Sequence, residues 1–414
     1  EVFGRRTVFV TGTVLFAVTS VLCAYAPTVE LLVLARVLQG LAGAAMSAQT
    51  VAIVTAAYSG TRRTTAFALY GGTAGLTGLA GPSIGAALLH LDILGTGWRA
   101  LFLINVPISA AAVVLGRSFV APGSEQVPAG HGGRFDAVGA ALWSIGALLI
   151  VCPVMISSSA LAAMPAVALG LTTLAGFVVW ERRRRAAGAH VMVNIGVFGA
   201  RGFSVGCAVS ALVYGTFTGF VLTMSVTLQS GLSESASTVA AITVPFALGA
   251  VLASAAAPIS FRHWDCRVVV AGAGAMGLAL LVLGVTTEYL DSAGFPWWAV
   301  VPLGVLGAGL GSVIAPLQST IVAGVAPHAI GSASGIMPTV QQVGSAVGTA
   351  VTGAVYFNLL PAEPVAADYL TSQRAVLFGL AATMGLATAV AAALPRGDRE
   401  SVDRNSPMVS QGAP

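Results

Sequence analysis

Among the residues able to do chemistry, Arg36 stands out by its setting. The stretch Leu34-Ala35-Arg36-Val37-Leu38-Gln39-Gly40-Leu41-Ala42-Gly43 holds one guanidinium and one amide in otherwise apolar surroundings. An arginine at the centre of a membrane span costs roughly 2.5–3.5 kcal/mol on insertion scales, so it is expected to face the protein interior or a wet cavity. Its partner there is an acid, a carbonyl or water. Two roles fit: a structural one, bonding helix ends, and one in a proton or substrate pathway. Glu30 lies nearly two turns earlier and is a poor partner. Tyr70, Tyr214, Gln229, Gln318, Gln341 and Gln342 are further polar groups in or at the ends of apolar runs. Gathered around a hydrophobic cavity, such groups suit a lipophilic substrate. Taken singly, each also serves as an ordinary interhelical hydrogen bond.

Other chemistries find little footing. The four cysteines (Cys23, Cys152, Cys207, Cys266) lie far apart and form neither a disulfide framework nor a zinc spacing. They are expected to be small core fillers. Gly272-Ala273-Gly274-Ala275-Met276-Gly277 matches the dinucleotide pattern in letters only, since it sits inside an uncharged run with no strand before it. The histidines fall in loops or at helix ends. Neither a nucleophile–base pair nor a metal cluster is evident, so neither enzyme activity nor a metal site is expected.

The elements that must position these residues are set by composition. Of 414 residues, 56% are hydrophobic and only 8% charged, with a mean hydropathy of +0.89. A soluble domain carries roughly a quarter charged residues. Crossing the hydrocarbon takes about 20 apolar residues. Uncharged runs such as 137–156 and 268–285 meet that length. The pattern predicts about twelve spans, near 8–26, 30–54, 65–91, 100–119, 137–156, 160–180, 203–228, 236–260, 267–286, 297–323, 333–358 and 375–394. In the span over 65–91, Gly71, Gly72, Gly75, Gly78, Gly81 and Gly85 surround Pro82. Small residues four apart let helices approach closely, and proline kinks the helix. The residues after Arg396 read as a disordered cytoplasmic tail.

Orientation follows from the arginines, which supply all 19 basic residues. With a cytoplasmic N-terminus, Arg5, Arg6, Arg62, Arg63, Arg117, Arg134, Arg182 to Arg185, Arg201, Arg262, Arg267, Arg396, Arg399 and Arg404 all fall on the inner face. That obeys the positive-inside rule and places both termini of this chain in the cytoplasm of a multi-pass cell-membrane protein. The run Arg182 to Arg185 reads as an anchor against anionic headgroups, and the dispersed arginines do not suggest nucleic acid. Gly4-Arg5-Arg6 opens the first span as Cys266-Arg267 opens the ninth, which suggests two parallel halves with substrate held between them.

These motifs, in this order, resemble the fourteen-helix drug:proton antiporter branch of the major facilitator superfamily. Glu1-Val2-Phe3-Gly4-Arg5-Arg6 is similar to the end of the superfamily's cytoplasmic signature, with Glu1 where aspartate is usual. Arg36, Gln39, Gly40 and Gly43 resemble its fourth-helix motif, whose arginine is associated with proton coupling. Gly81-Pro82-Ser83-Ile84-Gly85 resembles the fifth-helix antiporter motif, with Ala86 replacing a second glycine. The segment from Trp98 and Arg99 through Phe102 to Asn105 and Pro107 is similar to one typical of the fourteen-helix branch. The resemblance implies an all-α integral membrane fold in two pseudo-symmetric six-helix bundles plus a central helix pair. Its divisions are 1–120 (N-terminal bundle, family helices three to six), 121–202 (central linker with two extra helices), 203–394 (C-terminal bundle) and 395–414 (tail). On this alignment the stretch begins after the family's second helix, and the N-terminal bundle is incomplete. Relatives usually carry an embedded acid in their first helix; no carboxylate lies deep in an expected span here, and Gln341 stands where relatives often have arginine.

The resemblance implies export of hydrophobic or amphipathic small molecules, such as drugs and antibiotics, by proton antiport with alternating access. The expected partners are the lipid bilayer, a small lipophilic substrate and protons. The proton motive force takes the place of a cofactor, and the oligomeric expectation is a monomer. The alternatives are a metabolite uptake transporter of the same fold and a truncated membrane protein that transports nothing.

Overall fold

The computed structural model describes residues 4–58, 95–120, 136–156, 160–188, 195–287, 299–323 and 330–395, with single positions between 62 and 91 and at 191 and 325. Glu1, Gly71, Gly72, Gly75, Gly78, Gly81 and Pro82 lie outside the described residues, as do 121–135 and 396–414.

The described elements are helical throughout. In chain order they are α1 (Arg5–Ala24), α2 (Val29–Ala57), α3 (Asn105–Phe119), α4 (Ala137–Ile156), α5 (Ala160–Ala186), α6 (Arg201–Val226), α7 (Ala236–Trp264), α8 (Arg267–Thr286), α9 (Val300–Ala323), α10 (Ile330–Asn358) and α11 (Ala366–Ala391). The described positions between 62 and 73 are helical as well. Nine of the described helical segments are long and apolar enough to cross a membrane. Long helices are what lipid demands, because a helix satisfies its backbone polar groups internally. Their ends carry local stops. Thr28 accepts from the Leu31 N–H to cap α2, Ser235 accepts from the Thr238 N–H to cap α7, and Asp136 accepts from the Gly139 N–H to cap α4. Both arginine-led repeats start a helix at the arginine itself, α1 at Arg5 and α8 at Arg267.

The expected single helix over 100–119 is broken. Short turns at Gly97–Arg99 and Ala100–Leu103 precede α3, with the interruption at Ile104. Pro107 has no N–H to give to the Leu103 carbonyl, so a continuous helix would lose its bond at that step. The expected span over 203–228 instead runs from Arg201 to Val226 and ends in a π turn at Thr227–Gly231.

Packing divides the helices into groups. α1 lies against α2 and α3, and α4 pairs with α5. In the second half α6 packs on α10 and α11, α7 on α9, and α8 on both α9 and α11. One apolar core runs through this half and includes Phe203, Met276, Leu303, Met337, Tyr356 and Met384. Between lipid-embedded helices, association relies on close van der Waals contact, which small residues permit. The α6–α10 seam shows this. A β-carbon on Gly215 would stand 2.7 Å from the Gly344 carbonyl oxygen, and one on Gly348 would collide with Gly215. On α8, β-carbons at Gly272 and Gly277 would meet Gly309 O of α9 at 2.9 Å and Met384 of α11 at 3.3 Å. Those two glycines of the dinucleotide-like pattern are therefore helix–helix contacts. Cys23, Cys207 and Cys266 are buried as expected of fillers, whereas Cys152 is exposed on α4, because an apolar run does not say which side of a helix faces its neighbour.

The two halves meet at the end of the molecule where α1 begins. Val51 of α2, Phe67, Ala257 of α7 and Ala315 of α9 form one buried cluster there, with Val54 against it. At the same end Arg6 donates from Nη2 to the Arg117 carbonyl at 2.8 Å, tying the start of α1 to the last turn of α3.

Candidate functional site

Arg36 lies on α2 and is exposed, where the interior or a wet cavity was expected. Its Nη1 donates to Gln39 Oε1 at 3.1 Å, and its Cζ stands 4.4 Å from the Phe102 ring centroid. The partners expected from sequence were an acid, a carbonyl or water; those found are an amide carbonyl and an aromatic face. A guanidinium over a ring gains about 0.5–2 kcal/mol depending on desolvation. The ring is held in turn, since Phe102 packs edge-on against Trp98 at 5.9 Å and Arg99 covers Trp98 at 4.9 Å.

The amide of Gln39 is 4% exposed and passes the connection onward. Its Nε2 donates to Ser20 Oγ at 2.7 Å, and Asn105 Nδ2 donates to the same oxygen at 3.3 Å. Ser20 spends its own proton on the Phe16 carbonyl at 2.7 Å. Cys23 sits 3.9 Å from Gln39 Oε1, and Cys23, Ala24, Ala35 and Phe102 close an apolar wall around the group. Three helices thus converge on Ser20: α1 supplies the hydroxyl, α2 the Arg36–Gln39 pair, and α3 with its lead-in the Asn105 amide and the Phe102 ring. The structure brings Arg36, Gln39, Trp98, Arg99 and Asn105 together as one unit. Sequence reasoning missed Ser20 and Cys23 as members and named Phe102 only within the Trp98 to Pro107 motif.

The remaining motif residues are scattered. Gly43 packs on the Phe16 ring, a β-carbon on Gly40 would touch nothing, and Gly85 approaches Leu101. Pro107 is exposed in the first turn of α3, where its missing N–H is tolerated. Gly4 adopts a positive φ of 74° just before α1, a conformation open to glycine, and Arg6 makes the bond to α3 already described.

A second polar group lies in the other half. Tyr214 of α6, Gln318 of α9 and Gln341 of α10 line one pocket together with Ser210, Val213, Val313, Ile314, Leu317 and Ile321. Tyr70 does not line this pocket. Gln318 is 2% exposed and its Oε1 has no hydrogen-bond partner, an acceptor left open in an apolar wall. The space among these side chains is closed to water in this conformation. Gln229 and Gln342 do not belong to it. Both are exposed, and Gln229 bonds Ser225 at 2.6 Å. The hydropathy of a run places a glutamine in depth but does not give its direction around the helix axis.

Comparisons with known proteins agree with this architecture. The family model of the Major Facilitator Superfamily matches residues 1–349. The chain is 32% identical over 380 residues to the probable actinorhodin transporter of Streptomyces coelicolor, covering 88% of this chain and 63% of that protein. It is 31% identical over 399 residues to the multidrug efflux pump LfrA of Mycolicibacterium smegmatis, covering 95% of this chain and 75% of the pump. The crystal structure of the human organic anion transporter MFSD10 shares the fold with a TM-score of 0.61 at 17% identity, over 94% of this chain and 77% of that one. The chain spans less than two thirds of the length of the Streptomyces relative. An all-helical fold of long apolar spans, with a family match over most of its length, makes this a multi-pass membrane protein that belongs to the Major Facilitator Superfamily.

Proposed function

We propose that the chain works in export of hydrophobic or amphipathic small molecules, drugs and antibiotics among them, in exchange for protons, as in the fourteen-helix antiporter branch. The observation that carries this reading is the setting of Arg36: a permanent charge within an apolar helix, held by neutral partners, Gln39 Oε1 and the Phe102 ring. A guanidinium does not deprotonate in proteins, so Arg36 carries no proton itself. It acts by attraction. The partners found here are neutral, so the coupling step needs an acid brought opposite Arg36: its charged form would be favoured there, and its protonation would remove the attraction. The Tyr214, Gln318 and Gln341 group supplies the other requirement, an apolar wall with few polar handles, which suits a lipophilic substrate. The relative named as a multidrug efflux pump supports the same direction of transport.

In this reading both ends of the chain lie in the cytoplasm of a cell-membrane protein, because that orientation puts most arginines inside. The Val51–Phe67–Ala257–Ala315 cluster then seals the cytoplasmic side, and Arg6 helps hold that end. The protein acts as a monomer in the bilayer, with the proton gradient as its energy source and no cofactor.

The test is efflux of a lipophilic cationic dye from cells expressing the gene and its Arg36→Ala variant at matched membrane levels. Arg36→Ala is expected to lower gradient-dependent efflux by about tenfold, the equivalent of roughly 1.4 kcal/mol of coupling. Equal gradient-dependent efflux from both forms removes Arg36 from the coupling role.

A further inference from the structure

The run of four arginines that ends α5 is divided by the structure. Helical geometry puts Phe177, Glu181 and Arg184 on one side of α5, and Leu171, Ala175, Val179 and Arg182 on the other. The first side faces α4. Phe177 and Glu181 are buried there, and Phe177 packs edge-on against Trp143 of α4 at 5.3 Å. Arg184 turns the same way, to Asp136 Oδ1 at 3.5 Å, and Trp180 Nε1 donates to Asp136 Oδ2 at 3.1 Å. Asp136 also caps α4, so this corner fixes the last turns of α5 against its neighbour.

Arg182, Arg183 and Arg185 are left over. All three are exposed, and none forms an ion pair with a described residue. The helix end does not engage them either. Its Arg183 and Arg185 carbonyls are taken by the N–H groups of Ala187 and Gly188, at 3.0 and 3.1 Å, and Gly188 stops the helix with a φ of 67°. Before the arginines, the same side of α5 is apolar and exposed: Leu171 by 57% and Val179 by 48%, with Ala175 between them. From Leu171 to Arg182 the helix rises about 16 Å at 1.5 Å per residue. That is about half of the roughly 30 Å hydrocarbon core, the depth of one leaflet. Among the described helices α5 packs chiefly on α4, which leaves this side to the bilayer.

We propose that this side of α5 binds one anionic phospholipid: Arg182 and Arg185, a turn apart, hold the phosphate with Arg183 beside them, and an acyl chain lies along Val179, Ala175 and Leu171. Arginine suits the part, because its planar fork meets phosphate oxygens in pairs and stays charged. A zwitterionic headgroup brings a cation of its own to a place that already holds three, and like charges repel. Free phosphate lacks the chain that covers the stripe. The site differs from a diffuse attraction of basic residues to the membrane surface, because the buried corner at Asp136 sets where the arginines stand. α4 carries the hold onward, since it packs on α10. The inference rests on the membrane-spanning fold and not on the transport reading.

Native mass spectrometry of the delipidated, detergent-solubilised protein tests it. Dioleoyl phosphatidylglycerol is expected to bind saturably and about tenfold tighter than dioleoyl phosphatidylcholine; this comparison needs no variant. Arg182→Gln combined with Arg185→Gln is expected to weaken phosphatidylglycerol by about thirtyfold, the loss of two cations facing the headgroup. Arg262→Gln combined with Arg267→Gln removes the same charge from exposed arginines of α7 and α8 and is expected to leave binding unchanged. Both double variants alter exposed side chains, so both should melt as wild type in lipid-free detergent. Dibutyryl phosphatidylglycerol, with the headgroup but not the long chains, and inorganic phosphate are each expected to leave the long-chain lipid in place at equal concentration. Equal binding of the two dioleoyl lipids, equal losses in the two double variants, unaltered binding in the Arg182–Arg185 variant, or displacement by the short-chain lipid or by phosphate overturns the site.

Discussion

Ser20 carries more of the Arg36 group than its residue type suggests. Its oxygen accepts from both Gln39 and Asn105, and its proton goes to Phe16. Membrane-embedded hydrogen bonds average about 0.6 kcal/mol when both partners find substitutes. Here Gln39 is almost wholly buried, so the larger cost of an orphaned donor decides, about 1–3 kcal/mol. Ser20→Ala is therefore expected to lower the thermal unfolding midpoint in detergent and to weaken gradient-dependent efflux together, because Gln39 also orients Arg36. Cysteine at the same position keeps a weak acceptor and should recover part of both. A Ser20→Ala protein with wild-type melting and efflux would remove Ser20 from the group. Arg36 and Gln39 were legible because a charge and an amide stand out in an apolar run. Ser20 was not, since hydroxyls returning a bond to the carbonyl four residues back are common in this chain, as at Thr13 and Thr19.

At the level of helices, glycine placement decides how closely the elements approach. Gly348 of α10 lies against Gly215 of α6 so tightly that a methyl group has no room, whereas Gly379 of α11 faces open space. Gly348→Ala is expected to cost about 1–3 kcal/mol by overpacking. Gly379→Ala is expected to be neutral or to stabilise by up to about 1 kcal/mol through helix propensity. Thermal unfolding of the two variants in the same detergent checks the contrast; similar midpoints would mean that the α6–α10 seam is looser than its geometry. Most helices were legible from hydropathy, with ends moved by a few residues: α1 runs from Arg5 to Ala24 against an expected 8–26, and α2 from Val29 to Ala57 against 30–54. The break at Ile104 was readable in principle from Pro107, but the apolar run around it hid the signal. The π turn at Thr227 was not readable, because the sequence there is ordinary and the turn is held by Tyr356 and Gln373, which are distant in the chain. Which glycines touch another helix was likewise hidden, since Gly348 and Gly379 sit in equally apolar runs.

For the whole molecule, alternating access requires that the seal between the halves come apart. Val51, Phe67, Ala257 and Ala315 bury one another across the two halves, and no bond other than apolar contact holds them in that cluster. Contact of this kind is reversible at low cost, which suits a surface that opens in every cycle. Ala257 lies about 10 Å from the end of α7, deep enough to be shielded when the halves touch and reachable when they part. The exposed Cys152 must first be replaced by serine; the buried Cys23, Cys207 and Cys266 can stay. In that background Ala257→Cys is expected to react slowly with a membrane-impermeant maleimide in inside-out vesicles at rest. Dye together with a proton gradient should raise the rate by about tenfold, as expected when the opened state grows from a minor to a major population. Labelling from the opposite face should stay slow under both conditions, which also checks the assigned orientation. A rate indifferent to dye and gradient would mean that the halves do not separate here, and the rocking mechanism would fail with it.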